Sequence, residues 1–139
     1  MNQKRDNIDW VNESKNTEAN ALSEFKLKKY MLVSEIVNQL HFSNKVKKVC
    51  EIGAGPAFLS NLISPGLTYD LFDKYPASQN VSFFDLDQYA TYSQLSEYDC
   101  IVMMGTLEYS HDYVQVLKNL KKSGRYLLIY MTHPLISSR

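Results

Sequence analysis

At 139 residues, 45% hydrophobic and 22% charged, the chain has the length and composition of one globular domain, with a core large enough to stand without disulfide or metal staples. Fifteen Lys and Arg against fifteen Asp and Glu leave a formal net charge of zero, so no overall field draws in nucleic acid or an anionic bilayer, and neither is expected as a partner. No stretch approaches the roughly 18 apolar residues that span a membrane, and residues 1–20 lack the apolar run of a secretory signal, so a cytoplasmic location is expected.

Residues 1–17 carry no hydrophobic period and read as a polar arm, with residues 18–139 forming the domain. Trp10 is the arm's exception; packing onto the domain is favoured over capping a ligand pocket. Over residues 19–42, Leu22, Phe25, Leu32, Val33, Ile36, Val37 and Leu40 recur at helical spacing and predict a long amphipathic helix. Lys26, Lys28 and Lys29, followed by Lys45, Lys47 and Lys48, read as a solvated face in preference to a phosphate-binding patch.

Five short runs rich in Val, Ile, Leu, Tyr and Phe predict strands at 48–52, 67–72, 81–84, 100–104 and 126–131. Cys50 and Cys100 lie inside two of them, where a cysteine acts as a small hydrophobe, and no metal site is expected. Phe58, Leu59, Leu62 and Ile63 mark a short helix stopped by Ser64-Pro65-Gly66, residues 88–98 a weaker one, and Tyr113, Val116, Leu117 and Leu120 another. The last is closed by Lys121-Lys122-Ser123-Gly124, with cations and a glycine suited to a helix C-terminus. Residues 73–80 are too few for a crossover helix. Strand alternating with helix predicts an α/β domain with a mostly parallel, five-stranded twisted sheet, whose ligands bind beyond the carboxyl ends of the strands where the strand order reverses.

At the first such end the chain reads Glu51-Ile52-Gly53-Ala54-Gly55-Pro56-Ala57-Phe58. Glycines in a strand-to-helix turn permit positive φ and close ligand approach, while the next helical turn offers free N–H groups. A dinucleotide site wants a third small residue at position 58, where bulky Phe58 stands, so NAD is disfavoured. The small residue falls instead at Ala57, an acid, Glu51, precedes the first glycine, and Asp73 closes the second strand where a carboxylate can accept from ribose hydroxyls.

With E-x-G-x-G-x-A, the strand-end Asp73 and the later Asp85-Leu86, residues 46–133 resemble a class I S-adenosylmethionine-dependent methyltransferase. The resemblance implies a Rossmann-like three-layer sandwich and S-adenosylmethionine as cofactor. It also implies that Gly53, Ala54 and Gly55 pack on the methionine portion and that Glu51 helps hold the amino group. Asp73 would bind the ribose, Asp85 the adenine amino group and the Leu86 N–H the ring, with Asp87 a rival for Asp85. The fourth strand and its exit, through Met104-Gly105-Thr106-Leu107-Glu108-Tyr109, are similar to the family's strand and Leu-Glu-His turn, so Met104 and Gly105 would line the cofactor. The Asp-Pro-Pro-Tyr sequence of base methyltransferases is absent there, which argues against nucleic acid and for a small-molecule or sugar acceptor.

If the acceptor is a hydroxyl, His111 is the best-placed base, with a surface residue before a helix as the alternative; His41 and His133 have weaker claims. Six residues follow His133, too few for the sixth and seventh strands usual in the family, so the fifth strand is expected to be covered by a homodimer mate, the N-terminal arm or a partner chain. A non-catalytic S-adenosylmethionine-binding subunit that needs a partner is the alternative function.

Overall fold

The computed structural model describes residues 21–131. The polar arm with Trp10, and His133, lie outside the described residues. The chain runs α1 (Ala21–Phe42), β1 (Lys48–Ile52), a 3-10 helix (Phe58–Leu62), β2 (Thr68–Asp73), β3 (Val81–Phe83), a 3-10 helix (Tyr89–Leu95), β4 (Cys100–Met104), a 3-10 turn (Leu107–Tyr109), α2 (Tyr113–Leu120) and β5 (Tyr126–Tyr130). Among the described residues no helix is long and apolar enough to cross a membrane.

The strands form one sheet in the order β3-β2-β1-β4-β5, and every neighbouring pair is parallel. Strand residues alternate between two cores, as a period of two requires when both faces of a parallel sheet are covered. Val49, Cys100, Val102 and Met104 pack beneath Tyr30, Val33 and Val37 of α1 and Leu59 of the first 3-10 helix. Cys50, Ile52, Phe72, Ile101 and Met103 pack on the other face, against Leu95, Leu107 and, from α2, Val116 and Leu120. The result is the expected Rossmann-like three-layer α/β sandwich, its sheet parallel throughout the described residues.

Three expectations change in detail. In α1 the core stripe is Tyr30, Val33, Ser34 and Val37, whereas Leu32 (58% exposed) and Ile36 (39%), read as core residues, face outward. Spacings of three, four and seven from Tyr30 keep the first set on one face, and Leu32 and Ile36 fall on its far side. The segments read as helices at 58–63 and 88–98 are 3-10 helices, Phe58–Leu62 and Tyr89–Leu95. The Ser60 and Thr91 hydroxyls each donate to the carbonyl three residues back, Ala57 O and Gln88 O, both at 2.7 Å, in keeping with the tighter winding. The second and third strands end one residue later and earlier than read, at Asp73 and Phe83, and Phe84 N–H donates to Asp73 O just past them.

At the amino ends of the strands the fold is tied by polar groups. Asp99 Oδ2 accepts from the Lys47 and Lys48 N–H groups at 2.8 and 3.0 Å. The Arg125 guanidinium donates to three carbonyls, Tyr98 O at 3.1 Å, Leu120 O at 2.8 Å and Leu95 O. Lys48 meets Glu97 at the surface.

Candidate cofactor-binding site

The order β3-β2-β1-β4-β5 reverses between β1 and β4, and in open parallel sheets that is where a crevice opens beyond the carboxyl ends. The loop leaving β1 there is built on left-handed backbone: Gly53 at φ 78°, Gly55 at 53° and Ala57 at 62°. Gly53 and Ala54 both donate their N–H to Phe72 O, at 2.8 and 3.0 Å, which binds the turn to the end of β2. Thr106 leans over Gly53 so closely that a Cβ added there would lie 2.0 Å from its Oγ1. Gly53 is thus required twice, by its φ and by its neighbour.

Asp73, 7% exposed at the last position of β2, completes the turn. Its Oδ2 accepts from Gly55 N–H at 2.9 Å and its Oδ1 from Tyr75 N–H at 2.8 Å. The two expected site elements, glycine turn and strand-end acid, are therefore joined directly. A carboxylate has about four acceptor positions, so two backbone bonds leave acceptor capacity on the same group.

Glu51 is 2% exposed on the α1 side of the sheet. Its Oε1 accepts from the Tyr69 hydroxyl at 2.8 Å. Burial pushes its carboxyl up to about 8; the Tyr69 hydrogen bond works against that rise, and the nearby Asp73 charge adds to it. The same burial, reinforced by Glu51, raises the Tyr69 hydroxyl far above its ordinary value.

The turn after β3 carries the next expected pair. Asp85 Oδ1 accepts from Asp87 N–H at 2.9 Å, and its Oδ2 stands 3.9 Å from Lys74 Nζ. Leu86 is buried, and its carbonyl accepts from the Tyr92 hydroxyl at 2.6 Å. Asp87 turns away from Asp85, accepting from His111 N–H at 2.9 Å through Oδ1, with its Oδ2 3.7 Å from His111 Nδ1. Beyond β4, Met104 is 8% exposed and Gly105, at φ 72°, donates its N–H to Tyr130 O at 2.7 Å.

Gly53, Ala54 and Gly55 are thus bonded to Phe72 O and Asp73 at the end of β2, with Glu51 at the adjoining end of β1 bonded to Tyr69. Asp85 and Leu86 lie on the turn leaving β3, and Met104 and Gly105 at the exit of β4. His111 does not join them: its side chain is 88% exposed and it precedes Asp112, whose carboxylate caps α2 by accepting from Gln115 N–H at 3.1 Å. His41 lies at the end of α1, its Nδ1 3.0 Å from Val46 O. The sequence reading passed over Tyr69, Tyr92 and Thr106. No sequence signal marked any of the three: a period of two sets alternation within a strand, and the register that puts Tyr69 opposite Val49 is what brings residues 69 and 51 to one face.

A doubly covered parallel sheet, a left-handed glycine turn at its switch point and carboxylates at successive strand ends define a Rossmann-like domain of the class I methyltransferase type. A family model described as a methyltransferase domain matches residues 26–134. The chain belongs to that family. No curated protein matches it.

Proposed function

We propose that this methyltransferase domain binds S-adenosylmethionine in the crevice beyond β1, β2, β3 and β4 and passes its methyl group to a small-molecule or sugar acceptor. The observation that supports the reading is the direct bond between Gly55 N–H and Asp73 Oδ2, which joins a carboxylate with spare acceptor capacity to the glycine turn. The donor set fits the group: Glu51 is a buried carboxyl suited to a cationic amino-acid end, and Asp73 retains acceptor capacity for the ribose. Asp85 would accept from the adenine amino group, the Leu86 N–H would meet the ring, and Met104 and Gly105 would form the wall beside it.

A bound sulfonium supplies an electrophilic methyl carbon, so the protein's task is alignment and exclusion of water. Gly53, Ala54 and Gly55 are held rigid by Phe72 O and Asp73, and fix the approach. His111, 88% exposed and beside Asp87, would be the base toward an acceptor hydroxyl that approaches from solvent.

The alternative, a cofactor-binding subunit that works with a partner chain or a second copy, is favoured by one observation. Among the described residues β5 pairs with β4 alone, and a strand edge is a ready site for another chain. Turnover to S-adenosylhomocysteine against a panel of hydroxyl and amine acceptors separates the two readings. Asp73→Ala should weaken cofactor binding by about 1 to 3 kcal/mol, the usual worth of a bond to a charged group; unchanged affinity would remove Asp73 from the site.

A further inference from the structure

Half-buried Tyr69 and buried Glu51 form a pair that cofactor alignment alone does not require. Tyr69 stands opposite Val49 in the parallel register, and Glu51 opposite Leu71. The Tyr69 hydroxyl therefore reaches diagonally forward along the sheet face to meet Glu51 Oε1 at 2.8 Å, a reach that suits a long aromatic side chain. Among the described residues the one charge that acts on Glu51 is the negative charge of Asp73. From α1 comes Tyr30, whose hydroxyl is raised by its own burial and then by Glu51. From β2 come Tyr69 and Asp73, while Cys50, its neighbour along β1, is a buried thiol on the opposite face of the sheet. A carboxyl in such a place keeps its proton until a cation arrives, because an unpaired buried charge is costly.

We propose that Tyr69 is a positioning residue for Glu51: its hydroxyl holds the carboxyl where the cationic amino-acid end of the cofactor docks, and docking draws the proton off Glu51. This rests on the cofactor reading given above. The Glu51 O–H bond breaks, the proton passes to solvent, and the carboxylate formed pairs with the ligand's ammonium while Tyr69 continues to donate to it. Tyr69 touches neither cofactor nor acceptor; it acts through Glu51.

The test is calorimetric titration of the full chain in two buffers of different ionisation enthalpy, which counts protons released on binding. The probes are S-adenosylhomocysteine, which carries the ammonium, and 5′-methylthioadenosine, which lacks it. At about pH 7, below the value to which Glu51 is pushed, S-adenosylhomocysteine should release most of one proton per site, and 5′-methylthioadenosine almost none. In Tyr69→Phe the bond that favours the charged form is gone, so Glu51 holds its proton to higher pH. At about pH 8 that variant should bind S-adenosylhomocysteine more weakly and release more protons than the wild type, whereas a merely structural tyrosine would leave the count unchanged. The ligand's own amine titrates alike in both proteins. Equal release with the two probes, or an equal count in wild type and Tyr69→Phe, overturns the inference while the cofactor reading stands. If Tyr69→Phe does not fold, the two probes on the wild type decide. Absence of binding by either probe overturns the cofactor reading and this inference with it.

Discussion

Two left-handed residues in the turn after β1 differ in what their side chains do, and the difference predicts opposite effects of substitution. At Gly53, φ 78° disfavours any L side chain, and a Cβ would also strike Thr106, lying 2.0 Å from Oγ1 and 2.8 Å from Cβ. Gly53→Ala should cost about 3 kcal/mol or more, combining left-handed strain with a clash. Adding Thr106→Ala should recover only part of it, because Thr106 Cβ remains too close. Ala57 sits at φ 62°, ψ 38° with a Cβ already present, so Ala57→Gly should relieve strain and stabilise by up to about 1 kcal/mol, net of the entropy a glycine adds to the unfolded chain. Denaturant midpoints at constant slope check both. The glycines could be read from the sequence because a left-handed turn demands them, and the acids because a carboxylate at a strand end suits a ribose and completes the family resemblance. The Thr106 contact could not, since it joins loops whose proximity exists only after β1 and β4 pair.

At the scale of elements, the strands were legible and the helical segments less so. A strand buried on both faces announces itself as a short unbroken apolar run, and β1 and β4 fall on the predicted residues, 48–52 and 100–104. The 3-10 segments carry the same apolar residues a helix would, and what distinguishes them is backbone bonding to the carbonyl three residues back, as from Ser60 N–H to Ala57 O and Thr91 N–H to Gln88 O. Composition does not show such bonds. The register of α1 was misjudged for a related reason: Leu32 and Ile36 are apolar but exposed, while Ser34 is buried and donates its hydroxyl to Met31 O at 2.8 Å. Ser34 thus reaches the core with its polar atom already satisfied.

Arg125 shows how elements are held to one another. One guanidinium serves the ends of α2 and the second 3-10 helix and the approach to β4, through Leu120 O, Leu95 O and Tyr98 O. Arg125→Met should lower stability by about 2 to 4 kcal/mol, since three carbonyls lose a charged donor. Arg125→Lys should recover little of it, because an ammonium cannot reproduce the planar fork. Thermal unfolding of the three proteins gives the comparison; full recovery by lysine would show that charge alone is at work.

For the whole molecule, Glu51 ties stability to pH. Its carboxyl is pushed up to about 8 in the folded domain and returns to the ordinary carboxylate range, about 4.3, when unfolded. Between those values the unfolded chain has released a proton that the folded chain still holds, so this group's contribution to stability falls as pH rises from about 4.3 to about 8, and is flat beyond. Glu51→Gln, which keeps the shape and removes the titration, should make the stability profile of the ligand-free protein flatter across that window and leave the variant the more stable of the two near pH 8. Unfolding midpoints measured along a pH series would show it; parallel profiles for the two proteins would mean that Glu51 titrates normally.

The central claim is that the turn from Gly53 to Ala57 and the carboxylate of Asp73 together receive an adenosyl sulfonium. The most direct measurement is calorimetric titration of the full chain with S-adenosylmethionine and, separately, with NADH. The account predicts saturable binding of the first and none of the second, since Phe58 occupies the place where a dinucleotide loop needs a small residue. Binding of NADH with no response to S-adenosylmethionine would contradict it.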